Sequence, residues 1–197
     1  MEVYLLFDEF QTYTLLEMDL DRRPLVKGSE RKTQGRNPLR CRSVCLGEAA
    51  MPNTVRLHRV LATKPDKVYR AFIEADAMAK WLPPNGFTCT VHHLDAKVGG
   101  TYRMSFRNFT TGMSHSFGGK YVELVPGERL RYTDKFEDPN LPGEIQVTVT
   151  LKPVSVGTEL NIVQEGLPDV IPLEACYLGW QDSLRNLASL VEPEINQ

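Results

Sequence analysis

The sequence predicts an α+β fold: a curved antiparallel sheet of about seven strands wrapped around a long C-terminal helix, with two short helices after strand one. Three observations carry this expectation. A half-buried strand pattern at Val55–Leu61 is followed at once by helix start and stop signals. Six further strand-like segments come next, divided by Gly and Pro. From Leu173 the apolar period then changes from that of a strand to that of a helix. The apolar faces of such a sheet and helix are both covered only if the sheet curls around the helix, which leaves space for an apolar cavity between them.

In the first strand Val55, Leu57 and Arg59 alternate with Arg56, His58 and Val60, as a strand with one covered face requires. Thr63-Lys-Pro-Asp66 then places a capping hydroxyl three residues ahead of an acid, with Pro in the first turn. That combination starts a helix, whose buried stripe is Val68, Phe72 and Ile73. A second short helix runs over Ala75–Leu82 and stops at Pro83-Pro84-Asn-Gly86, because neither proline can donate the next helical bond.

The remaining strands are read at Phe87–Leu94, Thr101–Asn108, Gly119–Val125, Arg129–Phe136, Ile145–Lys152 and Thr158–Glu165. The connections at 98–100, 126–127, 139–143 and 156–157 each contain the Gly or Pro that a tight turn uses. Tyr102, Met104 and Phe106 share a face, as do Leu130 and Tyr132, and as do Ile145, Val147, Val149 and Leu151. Sequential hairpins of this kind give an antiparallel sheet with one apolar side. In the last helix Leu173, Tyr177, Trp180, Leu184, Leu187 and Val191 make one apolar stripe of about five turns.

Residues 1–50 differ in character, with an apolar-aromatic opening and then eight Lys or Arg between Arg22 and Arg42. They are expected to be an extension outside the domain, poorly ordered or translated from upstream of a native start at Met51, with residues 51–197 forming the fold. A formal net charge of -2 with mixed signs throughout leaves no basic face, so no nucleic-acid partner is expected. Apolar runs fall short of the ~20 residues of a membrane span, and Glu2, Asp8 and Glu9 stand where a secretory signal would be basic; a cytoplasmic protein follows. Cys41, Cys45, Cys89 and Cys176 read as reduced thiols. Cys41-Arg-Ser-Val-Cys45 lacks a second ligand pair, so neither metal nor cofactor is expected.

Several segments in this order carry a resemblance: Trp81 after the paired helices, Val98-Gly-Gly-Thr-Tyr102, Gly119-Lys-Tyr-Val-Glu-Leu-Val-Pro126 with Glu128-Arg-Leu130, Val156-Gly-Thr158 with Leu160 and Ile162, and Gly179-Trp180 with Leu184 and Leu187. Over roughly residues 54–192 the chain resembles the helix-grip START/Bet v 1-like superfamily, and within it the family named for the activator of the heat-shock-protein-90 ATPase. The resemblance implies a cavity between sheet and helix for a hydrophobic or amphipathic small molecule. It does not settle the chemistry, because one fold hosts many functions.

With no elbow serine, GxGxxG or phosphate loop in the sequence, function is sought in that cavity. Trp81, Tyr102, Tyr121, Tyr132, Tyr177 and Trp180 bring large rings with polar tips toward it, joined by Met104, Phe106, Leu173, Cys176 and the polar Gln164. The N-terminal half of the last helix is expected to line the cavity, and Leu184, Leu187 and Val191 to pack the core. His92 and His93, adjacent on a strand, should point to opposite faces, and His58 and His115 read as surface or satisfied histidines. Glu123 shares a face with Tyr121 by simple alternation, but a solvated position suits an unpaired carboxylate better.

The leading reading is a non-enzymatic binder of a hydrophobic small molecule, acting as a monomer or homodimer. The alternatives are a cyclase, dehydratase or hydrolase using the same cavity, marked by a His or carboxylate of shifted pKa inside it, and a co-chaperone with a chaperone ATPase as partner.

Overall fold

The computed structural model describes residues 53–194. The expectations placed on residues 1–50, including Cys41 and Cys45, lie outside the described residues. Seven strands, β1 (Val55–Leu61), β2 (Phe87–Leu94), β3 (Thr101–Asn108), β4 (Ser114–Val125), β5 (Arg129–Phe136), β6 (Ile145–Val154) and β7 (Gly157–Glu165), form one curved sheet in the order β1-β7-β6-β5-β4-β3-β2. From β2 to β7 each strand pairs with its successor, whereas β1 pairs antiparallel with β7, from Val55↔Gln164 to Leu61↔Thr158. Helices α1 (Pro65–Ala71) and α2 (Ala75–Trp81) follow β1, and α3 (Leu173–Val191) follows β7.

Alternation along the strands defines an inner face. Val147, Val149, Leu151, Leu160 and Ile162 are buried there, in one core with Leu184, Leu187, Ala188 and Val191 from the C-terminal half of α3. The short helices close this end. Trp81 packs edge-on against Phe72 at 4.8 Å between ring centres and donates its indole N–H to the Ala71 carbonyl at 2.7 Å. Ser183 donates to the Leu82 carbonyl at 2.6 Å and Asn186 to the Pro83 carbonyl at 3.1 Å, so the proline stop after α2 is where α3 is tied down.

Four local expectations are corrected. Strand β4 begins at Ser114 rather than Gly119, because Ser114 through Lys120 pairs along the whole of β3 from Arg107 to Thr101. The small polar residues there look like a loop, but tertiary pairing supplies their backbone partners. The cap of α1 is Lys64 and no side chain caps it; Thr63 instead accepts the Thr158 hydroxyl on its carbonyl at 2.6 Å.

The other two corrections come from β-bulges, each of which inserts one residue and shifts the alternation. The first lies between Val91 and His93. His93 pairs with outward-facing Arg103, and His92 meets Ser105 Oγ at 2.9 Å, so the two histidines share the outer side instead of opposing one another. The second lies between Tyr121 and Glu123 and breaks the simple alternation, turning Glu123 to the solvated side expected of an unpaired carboxylate, where it accepts the Arg129 guanidinium at 2.6 Å.

Candidate functional site

Cross-strand rows on the inner face place the candidate residues. Tyr121, Tyr132, Val147 and Gln164 lie side by side on β4, β5, β6 and β7. The next row holds Leu94, Tyr102, Gly119, Asp134 and Ile145; Tyr102 pairs with Gly119 and Asp134 with Ile145, and the β4–β5 register sets Gly119 opposite Asp134. Beyond it come Val91, Met104, Phe117 and Phe136, then Cys89, Phe106 and His115.

The three tyrosines form one packed group, with ring centres 5.7 Å apart for Tyr102–Tyr121, 6.0 Å for Tyr102–Tyr132 and 6.2 Å for Tyr121–Tyr132. Tyr102 donates to the Thr133 carbonyl at 2.8 Å and Tyr121 to the Phe72 carbonyl at 3.2 Å. Burial pushes all three phenols well above their ordinary range, so they stay neutral donors. Gly119 is what lets β4 and β5 approach beside them, since a Cβ there would lie 1.9 Å from the Thr133 carbonyl oxygen.

On α3, Trp180 donates its indole N–H to Gln164 Oε1 at 2.6 Å, and the Cys176 thiol lies 3.4 Å from the same oxygen. Gln164 thereby joins helix to sheet on the inner face. Tyr177 turns the other way, its hydroxyl accepting the Arg56 backbone N–H at 3.2 Å on the free edge of β1. Burial raises the Cys89 and Cys176 thiols to about 11, which keeps them protonated and poorly nucleophilic at neutral pH.

Exposure divides these residues. Phe106, Cys89, Val91, Leu94 and Phe136 on the sheet, and Leu173, Cys176, Tyr177 and Trp180 on α3, are only half-buried. Trp81 and Met104 have no exposed surface, and Tyr102, Tyr121, Tyr132 and Gln164 keep only a few per cent. Trp81 is thus a core residue of the α1–α2 pair, while Tyr102, Met104, Tyr121 and Tyr132 form the floor from which the half-exposed residues rise.

Two inner-face groups went unread in the sequence. Asp134 is half-buried, flanked by Tyr132 and Phe136 on its own strand, and accepts the Lys135 N–H at 2.9 Å. Burial raises its carboxyl to about 7, against the Lys135 N–H and the Tyr102 hydroxyl, which pull it down. The alternation Leu130, Tyr132, Asp134, Phe136 was the available signal. His115 faces inward opposite Phe106 rather than lying at the surface, and its Nε2 is enclosed without a partner among the described residues. No group of three or more His, Cys, Asp or Glu side chains able to hold a metal ion occurs among the described residues. No described helix is long and apolar enough to cross a membrane.

A curved seven-stranded sheet gripping one long C-terminal helix, with two short helices after its first strand, defines a helix-grip protein of the START/Bet v 1 type. The profile of the family described as Activator of Hsp90 ATPase homolog 1-like protein matches residues 62–192, and the chain belongs to that family. A protein from Chromobacterium violaceum of known crystal structure is 62% identical, with 73% of this chain and 100% of that one covered at a TM-score of 0.72. A Rhodobacter sphaeroides protein at 23% identity (69% of this chain, 90% of that one, TM-score 0.62) shares the fold. So does the AHSA1 protein of Silicibacter pomeroyi at 20% identity (69% and 95%, TM-score 0.61). No curated protein sequence matches the chain.

Proposed function

We propose that the chain is a cytoplasmic binder of a hydrophobic or amphipathic small molecule, held between the inner face of β2–β5 and the N-terminal half of α3. The observation that carries this reading is the exposure gradient. On the inner face Cys89, Val91, Leu94, Phe106 and Phe136 of the sheet, and Leu173, Cys176 and Trp180 in the N-terminal half of α3, keep accessible surface, while Leu184, Leu187, Ala188 and Val191 in its C-terminal half are buried. Apolar surface on an inner face, with a few convergent polar groups, is what a small-molecule site provides. Phe106, Leu173, Cys176 and Trp180 are its walls, the tyrosine group and Met104 its floor.

Nile red, a neutral fluorophore that brightens in apolar surroundings, tests this directly. Saturable enhancement at one site per chain is expected. A linear, unsaturable response would overturn the reading.

A second reading is enzymatic. Asp134 favours it, an inner-face carboxyl whose pKa of about 7 suits a general acid or base at neutral pH. Turnover of a bound substrate that vanishes on Asp134→Asn is the result it requires. The family's description raises a chaperone ATPase as partner, but the half-exposed apolar side chains and Asp134 lie on the inner face rather than on an outer docking surface.

A further inference from the structure

We propose that the site selects amphiphiles carrying a primary ammonium group, with Asp134 as the anion that anchors the head and the apolar walls holding the tail. This deepens the binding reading above and rests on it.

The argument begins with charge placement. Strand β5 carries Arg129, Arg131 and Lys135, and the alternation sends all three to the outer face while Asp134 goes inward with Leu130, Tyr132 and Phe136. No inner-face position on β2–β7 holds Lys or Arg. Arg59 lies in an inner row only on β1, three strands from β5 in the sheet order. From the neighbouring strands Asp134 is faced by Tyr102, which burial keeps neutral, by Gly119 and by Ile145. Tyr132 on its own strand is neutral for the same reason. Among the described residues no Lys or Arg pairs with a carboxylate so placed, and the inward-facing His115 lies two rows away, opposite Phe106. Partial burial makes its unpaired charge costly, and either a proton or a cation from outside relieves that cost.

Local shape agrees. Gly119, directly opposite Asp134, contributes no side chain to cover it, and an alanine there would strike the Thr133 carbonyl. The tyrosine rings beside the carboxylate add electron-rich surface, which attracts cations and not anions. Among the described residues the Lys135 N–H is the one donor bonded to Asp134, on Oδ1, and the Tyr102 proton goes to the Thr133 carbonyl, which leaves the other carboxylate oxygen open to a ligand donor. With its carboxyl near 7, Asp134 is ionised and able to pair above that pH and protonated below it. A carboxylate or sulfate head would meet the same group as a repulsive neighbour.

Displacement of Nile red by decylamine, decanol and decanoate, each below its micelle concentration, tests the proposal. At about pH 8 decylamine, as the ammonium ion, should compete about 10-fold or more better than decanol, a difference of one charge-assisted bond. Decanoate should compete worst. In Asp134→Asn, close in size and relieved of a buried charge, the preference for amine over alcohol should vanish while decanol changes by less than about 3-fold. At about pH 5.5 the wild-type chain should lose the same preference without any substitution, which keeps the test decisive should the variant misfold. Equal competition by amine and alcohol at about pH 8, or a preference that survives in both Asp134→Asn and acid, overturns the ammonium assignment while saturable Nile red binding leaves the cavity reading standing. Failure of Nile red to saturate overturns both.

Discussion

The two halves of α3 face one sheet and are built differently. In the C-terminal half Ser183, Leu184, Leu187, Ala188 and Val191 are buried, and hydrogen bonds from Ser183 and Asn186 fasten the helix to the end of α2. In the N-terminal half Leu173, Cys176, Tyr177 and Trp180 remain half-buried, and an added Cβ at Gly179 would meet nothing within 4 Å. The apolar stripe is continuous, so the difference comes from what stands opposite. The far half is roofed by α1, α2 and the aliphatic rows of β6 and β7. The near half is bonded to Gln164 on β7, which lies in the row of Val147, Tyr132 and Tyr121. Burial is thus concentrated at one end of the helix, and the other end keeps the accessible apolar surface on which the proposed site rests.

Substitutions can break this comparison. Leu187→Ala, at a site with no exposed surface, should cost about 2–5 kcal/mol in urea unfolding and leave the Nile red affinity of the folded protein unchanged. Trp180→Ala should cost about 3 kcal/mol and also weaken Nile red about 10-fold, because it removes a wall and strips Gln164 of its donor. Equal effects on Nile red from both changes would erase the distinction between the halves.

A pH series sharpens it further. Asp134 has its folded pKa raised to about 7 from an unfolded value near 4, so its contribution is fully present below about pH 4 and is lost as pH rises through about 7. Asp134→Asn should remove this part of the slope. Because the residue is half-buried, the full shift is discounted, and the variant should be more stable than wild type by about 2 kcal/mol at about pH 8, with little difference near pH 4. A wild-type stability that is flat between those pH values would show that the carboxyl is solvated. The smallest effect belongs to residues 1–50. Their removal should move the melting midpoint by less than about 4 °C, if the sheet and α3 supply the core by themselves.

Much of this was legible in the sequence, for definite reasons. β2, β3 and β5 were read to the residue because strong alternation is bounded by Gly or Pro on at least one side. The α3 stripe was equally clear. What escaped depends on pairing. The bulges beside His92 and Val122 reverse the facing of Glu123 and bring the two histidines to one side, and no local residue signals the inserted position. The inner-face placement of Tyr102, Tyr121, Tyr132 and Gln164 was legible because each keeps the parity of the apolar residues on its own strand. Asp134 was passed over because a charged residue between Thr133 and Lys135 looks like solvated surface, although its parity with Tyr132 points inward. Tyr177 fits the stripe, but nothing in its spacing shows that its hydroxyl reaches the edge of β1.

The sheet order also sets a timetable for synthesis. Strands β2 to β7 zip up with their immediate successors as the chain emerges, but β1, made before them all, has its partner about 100 residues later, as Val55↔Gln164 records. At ribosomal speeds of about 5–20 residues per second the first strand waits roughly 5–20 seconds for β7. During that wait its apolar residues Val55, Leu57 and Leu61 have no sheet to join. The expected outcome is that β1 is captured by β7 only after β7 and α3 have been made, which a ribosome-release experiment would time.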